Sequence, residues 1–88
     1  MYRGVQTMNL ETLKDARKVI GLKQVTKAVK RQSTTLVMMA EDADERITEP
    51  VRELCQAGGI EIQPAESMKA LGQACGIEVG AAVVAVLK

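Results

Sequence analysis

The sequence has no histidine, tryptophan or phenylalanine, and its one aromatic residue is Tyr2. Without histidine, a single chain cannot assemble the Cys-His pairs of thiol catalysis or the common Cys-His ligand sets of zinc fingers. Without aromatics on a sheet, it cannot build the stacking platform with which RRM and OB-fold domains bind unpaired bases. Cysteine is scarce. Cys55 and Cys75 stand alone, neither in a C-x-x-C pair, each among apolar neighbours at helical spacing. They read as buried, reduced thiols of a cytoplasmic protein. Long apolar runs are also missing. The longest, Ala81 to Leu87, falls far short of the roughly 20 residues of a membrane-spanning helix, so no membrane partner is expected. The N-terminal residues form no apolar segment of the secretion-signal kind. Neither a G-x-x-x-x-G-K-[ST] phosphate loop nor a G-x-G-x-x-G turn occurs. Asp42-x-Asp44 suggests calcium, but Ile47 stands where an EF-hand loop needs its sixth-position glycine, and the segment reads as a solvated loop. No catalytic constellation remains, so an enzyme is not expected.

What is present fits one small folded domain: 88 residues, 47% hydrophobic and 26% charged. Residues 1–8 show no periodicity and read as a disordered N-terminal extension, with residues 9–88 forming the domain. The net charge of +1 hides a strong polarity. Between Lys14 and Arg31 seven bases face one acid, Asp15; between Glu41 and Glu66 eight acids face two bases, Arg46 and Arg52. A basic side opposed by an acidic one favours docking one face onto a polyanion. It also leaves open an adaptor that uses the acidic side, from Glu41 to Glu53, to hold another protein.

Periodicity gives the elements. Leu10, Leu13, Ala16 and Ile20 repeat at helical spacing after a possible cap, Asn9, predicting a first helix over about 10–18 with Val19 and Ile20 as a short strand. Gly21 punctuates, and Val25, Ala28 and Val29 make the apolar stripe of a second helix. Thr35 to Ala40 is continuously apolar, as in a strand buried on both faces. Thr48 can cap a third helix with Pro50 in its first turn, Val51, Leu54 and Cys55 inward, and Gly58-Gly59 at its end. Ile60 to Gln63 alternates like a strand that Pro64 stops. Ser67 can cap a fourth helix, with Met68, Leu71 and Cys75 inward and Gly76 closing it. Gly72-x-x-x-Gly76 lies in no apolar span and serves close packing and a helix stop. Ala81 to Leu87 is a final, central strand. Alternating strands and helices predict an α/β fold, a three-layer α-β-α sandwich around a mostly parallel, mixed sheet of about four strands.

The stretch "GLKQVTKAVKRQ", Gly21 to Gln32, carries the chemistry. A helix start has free N–H groups and a partial positive charge, so it attracts phosphates and base acceptors. Gly21 has no Cβ and lets a backbone or base approach closely. Lys23 can donate to guanine acceptors or phosphate, and Gln24 can both donate and accept at a base edge. Lys27, Lys30 and Arg31 lie farther along, suited to phosphates. A plain solvated amphipathic helix accounts for these residues equally well.

Gly21-x-Lys23-Gln24-x-x-Lys27, taken with "LGQACGIEVGAAVVAV" from Leu71 to Val86, resembles the kink-turn-binding ribosomal proteins. That family comprises the archaeal seven-Ae and eukaryotic large-subunit thirty types and a small bacterial branch. The resemblance spans roughly residue 9 to the end. It implies a cytoplasmic, monomeric RNA-binding domain without a cofactor or metal. Its partner would be structured RNA, ribosomal or regulatory, bent at a bulge beside tandem sheared G·A pairs. It places Gly21, Leu22, Lys23, Gln24 and Lys27 at the G·A pairs. It places Ile77, Glu78 and Val79 over the bulge, with Gly76 and Gly80 shaping that loop. Archaeal members usually carry Asn-Glu where this chain has Lys23-Gln24, which resembles the eukaryotic thirty type and the bacterial branch. A purely structural place in the large ribosomal subunit is the alternative role.

Overall fold

The computed structural model describes residues 13–88. The expected N-terminal extension, and the start of the expected first helix, lie outside the described residues. A four-stranded sheet runs in the order β1-β4-β2-β3, with β1 Lys18–Ile20, β2 Thr34–Ala40, β3 Glu61–Ala65 and β4 Val83–Leu87. The helices are α1 Leu22–Lys30, α2 Glu45–Gly58 and α3 Met68–Ala74.

Alternation along the two central strands divides the core into two layers. Val37 and Met39 of β2, with Val83 and Ala85 of β4, pack under Val25, Ala28 and Val29 of α1 and Val51 and Cys55 of α2. On the opposite face Met38, Ala40 and Val84 pack against Leu71 and Cys75 at α3, and against Leu13. This is the expected α-β-α sandwich. Val37, Met38, Val83 and Val84 have no solvent exposure, and each such side chain stabilises the fold by about 1.5–3 kcal/mol.

The sheet is mixed, as expected, but its pairing is less parallel than the alternating pattern suggested. β2 and β3 pair in parallel, in register Leu36↔Glu61 through Ala40↔Ala65. β4 inserts antiparallel between β1 and β2. Three strands therefore run one way, yet two of the three pairings are antiparallel. Pattern alone cannot give the direction of a strand that is buried on both faces.

Expected boundaries shift in several places. The first helix does not reach residue 18. Ala16 N–H donates to Leu13 C=O at 3.2 Å and Leu87 N–H to Arg17 C=O at 2.8 Å, so pairing with β4 draws the chain into β1 from Lys18. α2 starts at Glu45 because Asp44 caps it, accepting from Arg46 N–H; Thr48 lies within the helix, buried. Pro50 is therefore inside α2 rather than in its first turn. It and Arg46 are both exposed, so water can take the carbonyl that proline leaves unbonded. Pro64 lies within β3 and does not end it. β3 is an edge strand, and an edge tolerates a missing ladder donor. Ser67 caps α3 by accepting from Ala70 N–H at 3.0 Å, as the sequence suggested.

Thr34 pins an irregularity in β2. The register slips between Thr34 and Leu36. There the single proton of the buried Thr34 hydroxyl is shared between the Leu36 carbonyl, at 2.9 Å, and the Val86 carbonyl, while its oxygen accepts from Leu36 N–H at 3.3 Å. Thr34→Val keeps the shape but takes the hydroxyl away from these backbone groups, which costs about 0.5–1.5 kcal/mol. The expected result is a lower urea midpoint with an unchanged slope.

Candidate nucleic-acid interface

One end of the sheet gathers the turn before α1 and the loop that enters β4. β1, β2 and β3 end there and β4 begins there. Gly21 N–H donates to Val83 C=O at 3.1 Å, which fastens the turn before α1 to the start of β4. The stretch 21–24 and the segment entering β4 are thereby neighbours, although about 60 residues separate them in sequence.

Gly21 has φ 98° and ψ 158°, a region essentially confined to glycine. Its missing side chain thus sets the backbone path into α1 as well as leaving open space. α1 has no side-chain cap and no acid in its first turn. α2 and α3 are capped by Asp44 and Ser67. Leu22, Lys23 and Gln24 are exposed, so the start of α1 is open to an acceptor from outside. Lys23, Lys27 and Lys30 form one exposed stripe, opposite buried Val25 and Val29. Lys30 sits roughly 10 Å beyond Lys23 at 1.5 Å per residue. Gln24, Lys27 and Arg31 border a shallow groove beside Val19, Ala28 and Leu87. Arg31 is at the far end of α1, so it can reach only a partner that follows the helix.

The second stretch folds back along α3. Gly76 (φ 81°) ends the turn after the helix, and Lys14 carbons lie 3.9–4.0 Å from where its Cβ would be. Ile77 N–H then donates to Gly72 C=O and Ala81 N–H to Met68 C=O, both at 3.0 Å. The loop 77–80 is therefore laced to the helix at both ends. Contact is too close for side chains: a Cβ on Gly72 would stand 2.1 Å from the Val79 carbonyl oxygen, and one on Gly80 3.1 Å from Met68 Cβ. Gly72-x-x-x-Gly76 thus combines close approach with a helix stop.

The structure treats the loop's two apolar residues differently. Val79 is 70% exposed. Ile77 is half-buried and packs on the core beneath α3, so its side chain is shared with the fold. Glu78 is exposed, an acid at the loop's tip. Gly76 and Ile77 stand at the loop's base, while Val79 lies against Gly72 and Gly80 against Met68 at the start of α3.

Sequence reasoning passed over Asp42. The sequence places it in a solvated loop, yet its Oδ1 accepts Met68 N–H at 2.7 Å. No local pattern reveals a cap that comes from another loop. The neighbouring Asp44 also serves the fold. The Arg46 side chain, then its backbone N–H, hold the Asp44 carboxyl below its ordinary pKa. Lys18 turns its ammonium onto the Lys14 carbonyl at 2.9 Å, so this base is engaged locally. The cysteines are free and buried, Cys55 under one face of the sheet and Cys75 under the other. Burial pushes both thiols up, against smaller opposing effects of Arg52 and Lys18 respectively. Among the described residues no helix is long and apolar enough to cross a membrane.

Residues 7–88 match the ribosomal protein L7Ae/L30e/S12e/Gadd45 family. The chain belongs to that family. A protein of Bacillus pumilus (strain SAFR-032) called "RNA-binding protein" is 51% identical over 69 residues, covering 78% of this chain and 84% of that one. Large ribosomal subunit protein eL8 of Halobacterium salinarum is 38% identical, over 94% of this chain and 73% of its own length. The solved structure of the Giardia lamblia 15.5kD RNA binding protein superposes with a TM-score of 0.81 at 29% identity. It covers 90% of this chain and 70% of that one. Family membership and the α-β-α fold agree with the resemblance carried by the two motifs.

Proposed function

We propose that this protein is a non-enzymatic RNA-binding protein that captures the bent form of a kink-turn. One observation carries the reading. The two exposed large hydrophobics among the described residues, Leu22 and Val79, belong to the uncapped start of α1 and to the loop leading to β4. Both stand at the same end of the sheet. Apolar surface beside free N–H groups and lysines suits unstacked bases next to a phosphate backbone. The relatives named as RNA-binding proteins support an RNA partner. Here Lys23, Gln24 and the first N–H groups of α1 meet the G·A pairs. Gly21 allows their close approach, and Leu22 lies against the same surface. Lys27, Lys30 and Arg31 follow phosphates. Val79, with Ile77 beneath and Gly76 and Gly80 setting the path, covers the bulge, and Glu78 stands at the rim. Binding only the kinked member of the RNA's ensemble shifts the population toward it.

The test is a kink-turn duplex labelled on both arms. Energy transfer should rise as protein is added, and should stay flat when the G·A pairs are replaced by Watson–Crick pairs. Equal binding to the substituted duplex would sink the reading. The similarity to a large-subunit protein favours a second reading, a structural ribosomal component. Stoichiometric co-sedimentation with ribosomes would support it.

A further inference from the structure

We propose that Asp42 is a positioning residue for the loop that carries Val79. The proposal rests on the RNA reading for its functional consequence, and on hydrogen bonds of the fold for its mechanism. Asp42 is exposed in the short connection between β2 and α2. Its Oδ1 accepts Met68 N–H at 2.7 Å from 26 residues away, the short, charge-assisted kind of bond.

A cap from the helix's own entry is already present, since Ser67 takes Ala70 N–H. The second acceptor therefore does more than satisfy a helix end: it ties α3 to the end of β2. That end is itself fixed, because Ala40 N–H donates to Ala82 C=O and Glu41 N–H to Ala65 C=O, both at 2.9 Å. Met68 passes the constraint on. Its N–H is held by Asp42 while its C=O accepts from Ala81 N–H at 3.0 Å, and Gly80 packs against its Cβ. The chain of contacts runs from Asp42 through the Met68 peptide to Gly80 and Ala81, directly after Val79. An unpaired carboxylate near a phosphate-binding surface would only repel. One that fixes the loop has a reason to be there.

The experiment compares Asp42→Ala, which removes the acceptor, with Asp42→Asn, which keeps an acceptor oxygen and removes the charge. Amide exchange of the free proteins is followed by NMR. Affinity is measured for a kink-turn duplex and for the same duplex without its bulge. In Asp42→Ala, exchange should quicken at Met68 and Ala81 while the central strands stay protected. Its affinity for the bulged RNA should fall roughly tenfold, with less change on the bulge-free duplex. Asp42→Asn should keep the protection and bind at least as tightly as the wild type. The proposal is overturned if Asp42→Ala binds like the wild type, or if protection falls uniformly across the chain. It is equally overturned if Asp42→Asn fails as Asp42→Ala does, since charge and not the acceptor would then matter. A wild type that does not bind the kink-turn removes the RNA reading instead. Exchange at Ala81 still decides whether Asp42 holds the loop.

Discussion

Gly72→Ala should destabilise the protein and loosen its grip on RNA together, although alanine is the better helix former. Propensity alone predicts a gain of about 0.8–1.0 kcal/mol at a helical position. The packing overrules it. The new methyl would stand 2.1 Å from the Val79 carbonyl oxygen and 3.1 Å from both the Val79 carbonyl carbon and Gly80 Cα. All three are backbone atoms, so no side-chain rotation relieves the clash. The loop must lift by roughly an ångström. That strains the bonds from Ile77 N–H to Gly72 C=O and from Ala81 N–H to Met68 C=O. Overpacking of this kind costs about 1–3 kcal/mol. In a domain of this size that corresponds to a melting temperature lower by roughly 5–20 °C. Because the displaced segment carries Val79, affinity for bulged RNA should fall further than affinity for plain duplex. Calorimetry and binding at one salt concentration check both. A melting temperature that rises, as propensity predicts, would mean that the loop does not lie on α3 as described.

The same position shows what was legible in the sequence. The spacing of Gly72 and Gly76 signalled close packing and a stop, and both roles are present, but nothing local said which backbone would come close. The apolar runs gave β2 and β4 because burial on both faces leaves no polar position to alternate with. Gly21 and Ser67 were readable because each acts within its own turn. The start of α2 was not. The sequence pointed to Thr48 as its cap, yet Asp44 takes that place, and helix propensity does not rank the two. The choice follows from where β2 releases the chain, and it leaves Asp42 free to reach Met68. The direction of β4 escaped for a related reason. A central strand is apolar whichever way it runs, and α3 with its return loop decides the matter through contacts distant in sequence. In the candidate interface, residue types suggested the chemistry at residues 21–31 and 76–80. Sequence could not separate Ile77, half-buried against the core, from Val79, which is open to solvent. Both are β-branched aliphatics in one loop, and only the path between Gly76 and Gly80 distinguishes them.

Along α1, reading RNA and merely holding it should be separable by substitution. Gln24 lies in the first turn, beside N–H groups without a side-chain cap, and carries no charge. Lys30 closes the helix roughly two turns later, where only a phosphate is within reach of a partner docked at the helix start. Lys30→Ala should weaken every RNA by about the same factor. It should also flatten the dependence of log affinity on log salt by up to about one unit, because one fewer counterion is released. Gln24→Ala should leave that slope unchanged, since no charge is lost. Its effect is selective: the preference for G·A-containing RNA over a Watson–Crick control should shrink by about 1–3 kcal/mol if a bidentate base contact is removed. Lys23→Ala, one residue into the helix and charged, should show part of each effect. The measurement is affinity at several salt concentrations for a kink-turn and its base-substituted control. None of the three side chains is buried, so melting temperatures should stay close to the wild type and the changes can be assigned to binding. If Gln24→Ala keeps its full discrimination, the start of α1 does not read bases and its lysines serve as an electrostatic handle alone.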